Sequence, residues 1–177
     1  MSAARRGLGL FLLALLAQAA WTADAPKKTP REALKPFEHD TGENPYAVQR
    51  DLQELLQHNV GIVRNEHEMQ TALEEIRKLW ERANHVGVIG NRDFNPGWHT
   101  ALDLKSLLTI SEAIARAGIE RKESRGAQFR DDIPEKVERF SKLNTIVTRA
   151  DDGSMQVRLE PLPEMPDYLK RVIEEMK

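Results

Sequence analysis

The sequence contains no cysteine among its 177 residues. This absence excludes disulfide bonds, thiolate zinc sites, iron–sulfur ligation and a cysteine nucleophile. An excess of one charge sign is also missing, because 26 basic residues nearly balance 28 acidic ones and give a net charge of -2. Without a basic surplus the chain lacks the electrostatic footprint of nucleic-acid binding, so we expect no nucleic-acid partner.

Long hydrophobic runs are scarce as well, and the one that stands out lies near the start of the chain. It covers Gly7–Ala23 and follows two arginines. The run is short for a membrane-spanning helix, which needs about 20 apolar residues. Two interpretations of residues 1–25 remain open. One is an export signal cleaved after Ala19 or Ala25, and the other is a buried helix that has lost its partner.

The next segment changes in composition. Residues 26–43 are rich in Pro, Lys, Thr and acidic side chains, which predicts a linker before a folded domain at 44–177. At this boundary Asn44 can cap a helix whose first residue is Pro45, because proline suits the first helical position. The apolar spacing predicts that this first helix ends at 59–61.

Two further helices are predicted, the second from its cap and both from apolar periodicity. The second begins after Asn65, which has Glu68 three residues later, as in a capping box. A loop over 84–97 with three glycines then leads to a third helix from about Trp98 to Lys122. Its apolar residues occur almost all round, so we expect a central helix that is buried on more than one side.

Beyond Pro134 the helical period gives way to alternation and turns. The segment 151–154, Asp-Asp-Gly-Ser, precedes an alternating run and predicts a β-hairpin. Residues 167–176 predict a short amphipathic terminal helix after three prolines. The predicted fold is therefore mainly α: a three-helix bundle, like a spectrin repeat, with a small C-terminal β-hairpin and a short terminal helix.

A dense block of both charge signs, Glu120–Pro134, follows the third helix. In a purely structural interpretation Gly126 supplies the left-handed residue that ends a helix, and nearby cations offset the helix dipole. Those cations are Arg121, Lys122 and Arg125. In a functional interpretation Arg125 and Arg130 hold carboxylates of another domain or an anionic ligand, since a guanidinium binds carboxylates through two parallel hydrogen bonds.

The same block carries a family resemblance. Ser-Arg-Gly-Ala at 124–127, followed by Arg130, Asp132 and Pro134, resembles a signature of the C-terminal helical domain of succinate dehydrogenase and fumarate reductase flavoproteins. Other blocks look as they do in that family, and the similarity extends over 44–177. These blocks are 42–46 (Gly-Glu-Asn-Pro-Tyr), 59–64 (Asn-Val-Gly-Ile-Val-Arg), 95–99 (Asn-Pro-Gly-Trp-His) and 161–166 (Pro-Leu-Pro-Glu-Met-Pro).

The resemblance implies that the charged block is an interdomain latch that positions domains rather than performing redox chemistry. The latch candidates are Arg121, Arg125, Gln128, Arg130 and Asp132. The sequence departs from the family at Gln128, where histidine is usual, and at Ile133, where an aromatic residue is usual. Because glutamine does not titrate near neutral pH, a proton-linked role at that position is in doubt.

The resemblance also implies what this chain lacks. The family's flavin-linking and dicarboxylate-binding residues lie in other domains, so FAD is expected on a separate flavin-bearing domain or subunit, with no cofactor, metal or catalytic residue here. The expected partners are that flavin-bearing part and, as a further candidate, the iron–sulfur subunit. Residues 1–25 would be an altered remnant of the family's apolar helix, and the chain would lie in the cytoplasm, peripheral to the inner membrane through its partners.

The leading hypothesis is thus a docking domain of a succinate/fumarate oxidoreductase that is inactive alone. The alternative is an exported α-helical binding module derived from that domain, if the N-terminal segment is a working signal. Among the five histidines no pair has metal-binding helical spacing. Trp98 and His99, at the start of the third helix, are secondary site candidates, although a core or capping role fits them better.

Overall fold

A computed structural model describes residues 29–39 and 42–176. Two compact units are distinguished, Met1–Lys35 and Pro36–Lys177. In the first, α1 (Pro30–Leu34) begins at a capping box, in which the Thr29 side chain accepts from the Glu32 amide and the Glu32 carboxylate accepts from the Thr29 amide. A 3-10 turn follows at Lys35–Glu38. The segment predicted as a linker therefore contains helical turns, whereas the predictions for 1–25 lie outside the described residues.

The first two long helices begin where their caps predict. Helix α2 spans Pro45–Asn59, and the Asn44 side chain accepts a hydrogen bond from the Tyr46 amide at 2.9 Å. Helix α3 spans Glu66–Ala83, and Asn65 Oδ1 accepts from the Glu68 amide at 2.9 Å. In both helices an asparagine satisfies an amide that has no partner within the first turn.

Helix α4 spans Pro96–Glu120, is capped by Asn95 and packs against α2, α3 and the C-terminal hairpin. It is central, as predicted. Its fully buried residues nevertheless form a single stripe with helical spacing: Ala101, Leu104, Leu108, Ser111, Ala115 and Gly118. Ile110 and Ile114 lie beside that stripe and remain 57% and 45% exposed. Helix α4 thus packs against several neighbours, but the side that carries Ile110 and Ile114 is not covered by the described residues.

The main hydrophobic core lies where the three long helices meet. Its buried members include Val48 of α2, Ile76 of α3, and Leu104 and Leu108 of α4. Trp80, Trp98 and Leu107 pack against this core as partly buried residues. Burial of such side chains is worth roughly 1.5–3 kcal/mol each, so the packing between helices supplies most of the stabilisation of the bundle.

The strands are few. Short strands β1 (Val63–Arg64) and β2 (Phe129–Arg130) pair in parallel. A 3-10 turn at Glu138–Lys142 leads to the antiparallel hairpin of β3 (Leu143–Arg149) and β4 (Met155–Pro161). Gly153 has φ +85° in the hairpin turn, so the turn predicted at 151–154 is confirmed.

The described chain ends in α5, Asp167–Glu175, which has no buried residue. The predicted three-helix bundle with a hairpin and a short terminal helix is confirmed. Within the two described ranges, no helix combines the length and hydropathy needed to cross a bilayer.

Candidate functional site: a charged cluster between two helix ends

The charged residues after α4 form two ion-pair groups in one loop, here together called the arginine cluster: Arg121, Glu123 and Arg125 in one group, and Arg130 and Asp132 in the other. The chain leaves α4 at Glu120, turns back, and enters β2 beside β1. Since β1 is separated from α3 only by Asn65, this pairing brings the end of α4 to the start of α3. The cluster fills that junction.

Arg130 is at the centre of the cluster and is fully buried. Its Nε and Nη2 donate to the two carboxylate oxygens of Asp132 at 2.8 and 2.6 Å. Its Nη1 donates to the carbonyl oxygens of Gly118 and Ile119 at 3.2 and 3.4 Å. These carbonyls belong to the last turn of α4, where the helix dipole favours a cation. The guanidinium therefore caps α4 while pairing with a carboxylate.

Asp132 completes the junction from the other side. Its Oδ2 accepts a hydrogen bond from the Glu66 amide at 3.1 Å, at the first residue of α3, where the dipole favours an anion. The hydrogen bonds from Arg130, helped by that amide, hold the pKa of Asp132 down at about 2 despite partial burial. The Glu66 carboxylate also lies 3.3 Å from Arg130 Nη2.

Glu123 is a second fully buried charge in the cluster. Its Oε1 accepts from Arg121 and Arg125, each at 2.9 Å, and its Oε2 accepts from Arg125 Nη2 and the Val137 amide, each at 3.0 Å. Burial by itself would raise the pKa of this carboxyl, but the hydrogen bonds from Arg125, Val137 and Arg121 outweigh it and lower the pKa to about 2. Glu123 is thus a fixed anion that both arginines share.

The turn between these two ion-pair groups differs from its prediction. Gly126 has φ +61°, but it lies in a tight turn closed by mutual backbone hydrogen bonds between Arg125 and Gln128, and α4 ends six residues earlier. The prediction that Gly126 ends the helix is therefore wrong. Arg121, Lys122 and Arg125 also lie beyond the last turn of α4, which contains no basic residue. Arg130 provides the cation there, because strand pairing brings it back to the helix end.

Gln128 and Ser124 hold the loop in shape. Gln128 Nε2 donates to the carbonyl oxygens of Arg121 and Glu123 at 2.9 and 3.3 Å. Ser124 Oγ accepts from the Arg130 amide at 2.8 Å and donates to the carbonyl of Ile133, also at 2.8 Å. These contacts satisfy polar groups that a buried loop would otherwise leave unpaired.

The loop therefore holds all five latch candidates, four of them in the arginine cluster and Gln128 beside it, and the cluster contains no nucleophile–base pair. Arg130 is used entirely inside the domain. Arg121 and Arg125 keep 22% and 34% of their side chains exposed, so an additional contact with another domain remains open to them. Their role as a latch stays a prediction.

Trp98 and His99 are far from this cluster, because α4 has 25 residues and, at 1.5 Å each, is about 37 Å long. Trp98 packs edge-on against Phe37, with ring centroids 5.4 Å apart, while His99 is exposed. Among residues 29–39 and 42–176, no group of three or more metal-ligating side chains converges.

A cleft of about 350 Å³ lies at that opposite end, where α2 and α4 begin. Residues from two of the sequence blocks, 42–46 and 95–99, line this cleft. The backbones of Gly42 and Gly87, which also line it, approach each other closely. A Cβ at Gly87 would overlap the His39 carbonyl oxygen, so this position requires glycine. Sequence inspection missed Gly87, since only tertiary contact shows why it matters.

Arg64 is the residue near the cluster that sequence reasoning overlooked. Its side chain lies over Gly118, with Nη1 3.5 Å from the position that a Cβ of Gly118 would occupy. Its Nε is buried and has no hydrogen-bond partner in the described part of the chain. Burial, with Arg130 as a neighbouring cation, lowers the pKa of Arg64. A lone arginine after a valine gives no signal in sequence that it will be left unpaired.

Comparison with known proteins shows which family this chain resembles in sequence. A family model described as the fumarate reductase flavoprotein C-terminal region matches residues 49–170. The fumarate reductase flavoprotein subunit of Mycobacterium tuberculosis is 34% identical over 68% of this chain and 21% of its own length. The succinate dehydrogenase flavoprotein subunit of Coxiella burnetii is 32% identical over 66% of this chain and 20% of its own length.

Solved structures give the same relationship. A chain of the Mycobacterium smegmatis Sdh1 complex in its apo form superimposes with a TM-score of 0.70 and 32% identity, over 90% of this chain and 30% of that one. The present chain therefore spans about a fifth of the length of the two curated relatives and less than a third of the structural one.

Proposed function

Because the chain belongs to the family of C-terminal domains of fumarate reductase and succinate dehydrogenase flavoproteins, we propose that it docks on a flavin-bearing domain or subunit. In the docked state it fixes the arrangement in which that part interconverts succinate and fumarate. Alone, the chain is inactive and free of flavin. The iron–sulfur subunit is a further candidate partner, and the assembly is cytoplasmic and peripheral to the inner membrane.

The observation that carries the proposal is an exposed apolar surface on α4, here called the Ile110–Ile114 stripe, which lies beside the buried stripe of that helix. Ile110 and Ile114 lie one helical turn apart on the central helix, and both are about half exposed. A helix this apolar is normally covered on more than one side. In relatives several times longer than this chain, additional domains are available to cover the equivalent stripe, so a flavin-bearing part is the partner that fits.

The residues that the structure describes do not themselves fit FAD. Dinucleotide binding requires a strand, a glycine-rich turn and a helix in succession, so that helix-terminal amides receive the pyrophosphate. In the described ranges two strands directly precede an α-helix. A single residue, Asn65, separates β1 from α3, and the five residues 162–166 between β4 and α5 contain no glycine. The proposal therefore assigns FAD to the partner, and the chemistry of this chain is limited to binding and positioning.

The test uses the full chain and a defined probe: the Mycobacterium tuberculosis fumarate reductase flavoprotein produced without the segment that this chain matches. We expect the isolated chain to show no flavin absorbance, and we expect it to bind the truncated flavoprotein by biolayer interferometry. Changing both Ile110 and Ile114 to serine should weaken binding, because the apolar contact is lost. Ile89→Ser is the matched control, since Ile89 is 82% exposed but lies at the distant cleft. Tight binding of FAD by the chain alone would sink the proposal.

A further inference from the structure

We propose that Arg64 is the binding site for a carboxylate side chain of the flavin-bearing partner, at the end of the Ile110–Ile114 stripe. The inference rests on the proposed docking function and specifies its chemistry. Its starting point is the contrast between Arg64 and the neighbouring arginines. Arg121, Arg125 and Arg130 all have carboxylate partners inside the domain, whereas the side chain of Arg64 has none among the described residues.

The position of Arg64 links it to the docking stripe. Its guanidinium lies over Gly118, which follows Ile114 by four residues on α4. Residues four apart on a helix are neighbours on its surface, so the charge is one turn beyond the exposed isoleucines. A Cβ at Gly118 would overlap Met69 Sδ at 2.8 Å, whereas the Arg64 side chain would lie in ordinary van der Waals contact with it. A partner that covers Ile110 and Ile114 therefore also meets this guanidinium.

The residues around Arg64 favour an anionic ligand, and they favour the carboxylate of a protein side chain over a small dicarboxylate. Leaving a buried guanidinium nitrogen unpaired is costly, and Arg130 adds repulsion from a second cation. A carboxylate would satisfy the free donors and offset that repulsion. A protein surface would bury Ile110 and Ile114, whereas a small hydrated dicarboxylate would leave them exposed to water. An Asp or Glu on the flavin-bearing part fits both features.

The test measures binding of the full chain to the truncated Mycobacterium tuberculosis flavoprotein used above. Arg64→Met keeps the length of the side chain and removes the charge, so we expect affinity to fall about tenfold or more. Arg77→Met, at an exposed position of α3, is the control and should bind like the wild type. Urea unfolding of both variants should show no loss of stability for Arg64→Met, because an unpaired buried charge is removed.

The outcomes separate the two proposals. If the wild type binds and Arg64→Met binds equally well, the role of Arg64 is overturned while docking stands. If the wild-type chain does not bind at all, docking fails and the role of Arg64 fails with it. Succinate titrated into the isolated chain by calorimetry gives the third result: binding that Arg64→Met abolishes would overturn the protein carboxylate in favour of a small dicarboxylate.

Discussion

Arg130 and Asp132 form a bidentate ion pair that joins the end of α4 to the start of α3. The guanidinium donates to the carbonyls of Gly118 and Ile119, and the carboxylate accepts from the amide of Glu66. Each charge lies at the helix end whose dipole it complements, and each also satisfies the other. The pair thus connects two helices that approach each other through the loop at 121–128 and a two-strand pairing.

Replacing Arg130 with methionine should destabilise the domain by about 3 kcal/mol, because it leaves Asp132 without its main partner and two helix carbonyls without a donor. Urea unfolding followed by circular dichroism at 222 nm measures the difference. The free energy of unfolding of Arg130→Lys should lie between those of the wild type and Arg130→Met, since an ammonium cannot make the bidentate contact.

Arg158→Met is the control for this change. Arg158 pairs with Glu160 on the hairpin at 2.7 Å, but both side chains are about half exposed. An exposed ion pair contributes about 0–1 kcal/mol to the free energy of unfolding, so Arg158→Met should lose little stability. A loss for Arg130→Met no larger than that of the control would show that the buried pair does not hold the junction.

The helix starts could be predicted because their causes are local. An asparagine cap needs only the two or three residues after it, and the predicted caps Asn44 and Asn65 both receive the expected amide hydrogen bonds. The hairpin turn at Gly153 is equally local. The third helix begins at Pro96, two residues before the predicted Trp98, which is within the usual error of a helix boundary.

The partners of the charged side chains could not be predicted in this way. Arg130 reaches the end of α4 only because β2 pairs with β1, 66 positions earlier in the chain, and no local pattern encodes that pairing. Gly126 alone does not distinguish a helix end from a tight turn, because glycine serves both. Ile110 and Ile114 are apolar like their buried neighbours, so sequence alone does not show that their side of α4 is uncovered.

The dependence of stability on pH in the acid range should show how much the Glu123 carboxylate contributes to the folded state. Its pKa is about 2 in the folded protein against an ordinary value of 4.5, so the folded state binds the proton less readily than the unfolded chain does. The stabilisation by this carboxylate is complete above about pH 4.5 and is lost as the pH falls toward 2. Urea midpoints of the wild type and Glu123→Gln should therefore differ at pH 7 and converge across that window. Glu164→Gln, at an exposed site, should match the wild type at every pH.

A substitution at Gly126 tests the turn inside the cluster. A Cβ at this position would meet nothing within 4 Å, so the cost of alanine comes only from its φ of +61°. We expect Gly126→Ala to destabilise the domain by about 1 kcal/mol. Gly126→Asn should cost less, because asparagine enters the left-handed region more readily. Equal losses for alanine and asparagine would indicate that something other than backbone conformation is responsible. Thermal unfolding of the three proteins provides the comparison.

Gln128 is one of the two departures from the family pattern, and the structure gives its side chain a specific contact. Its amide nitrogen donates to two carbonyl oxygens, those of Arg121 and Glu123, across the loop. Gln128→Leu removes the donor and should lower the free energy of unfolding by about 1 kcal/mol. Gln128→His restores one ring N–H donor and should recover part of that loss. If leucine is as stable as glutamine, the two carbonyls are satisfied by water and Gln128 does not hold the loop. Chemical unfolding at pH 8, where histidine is mostly neutral, keeps charge out of the comparison.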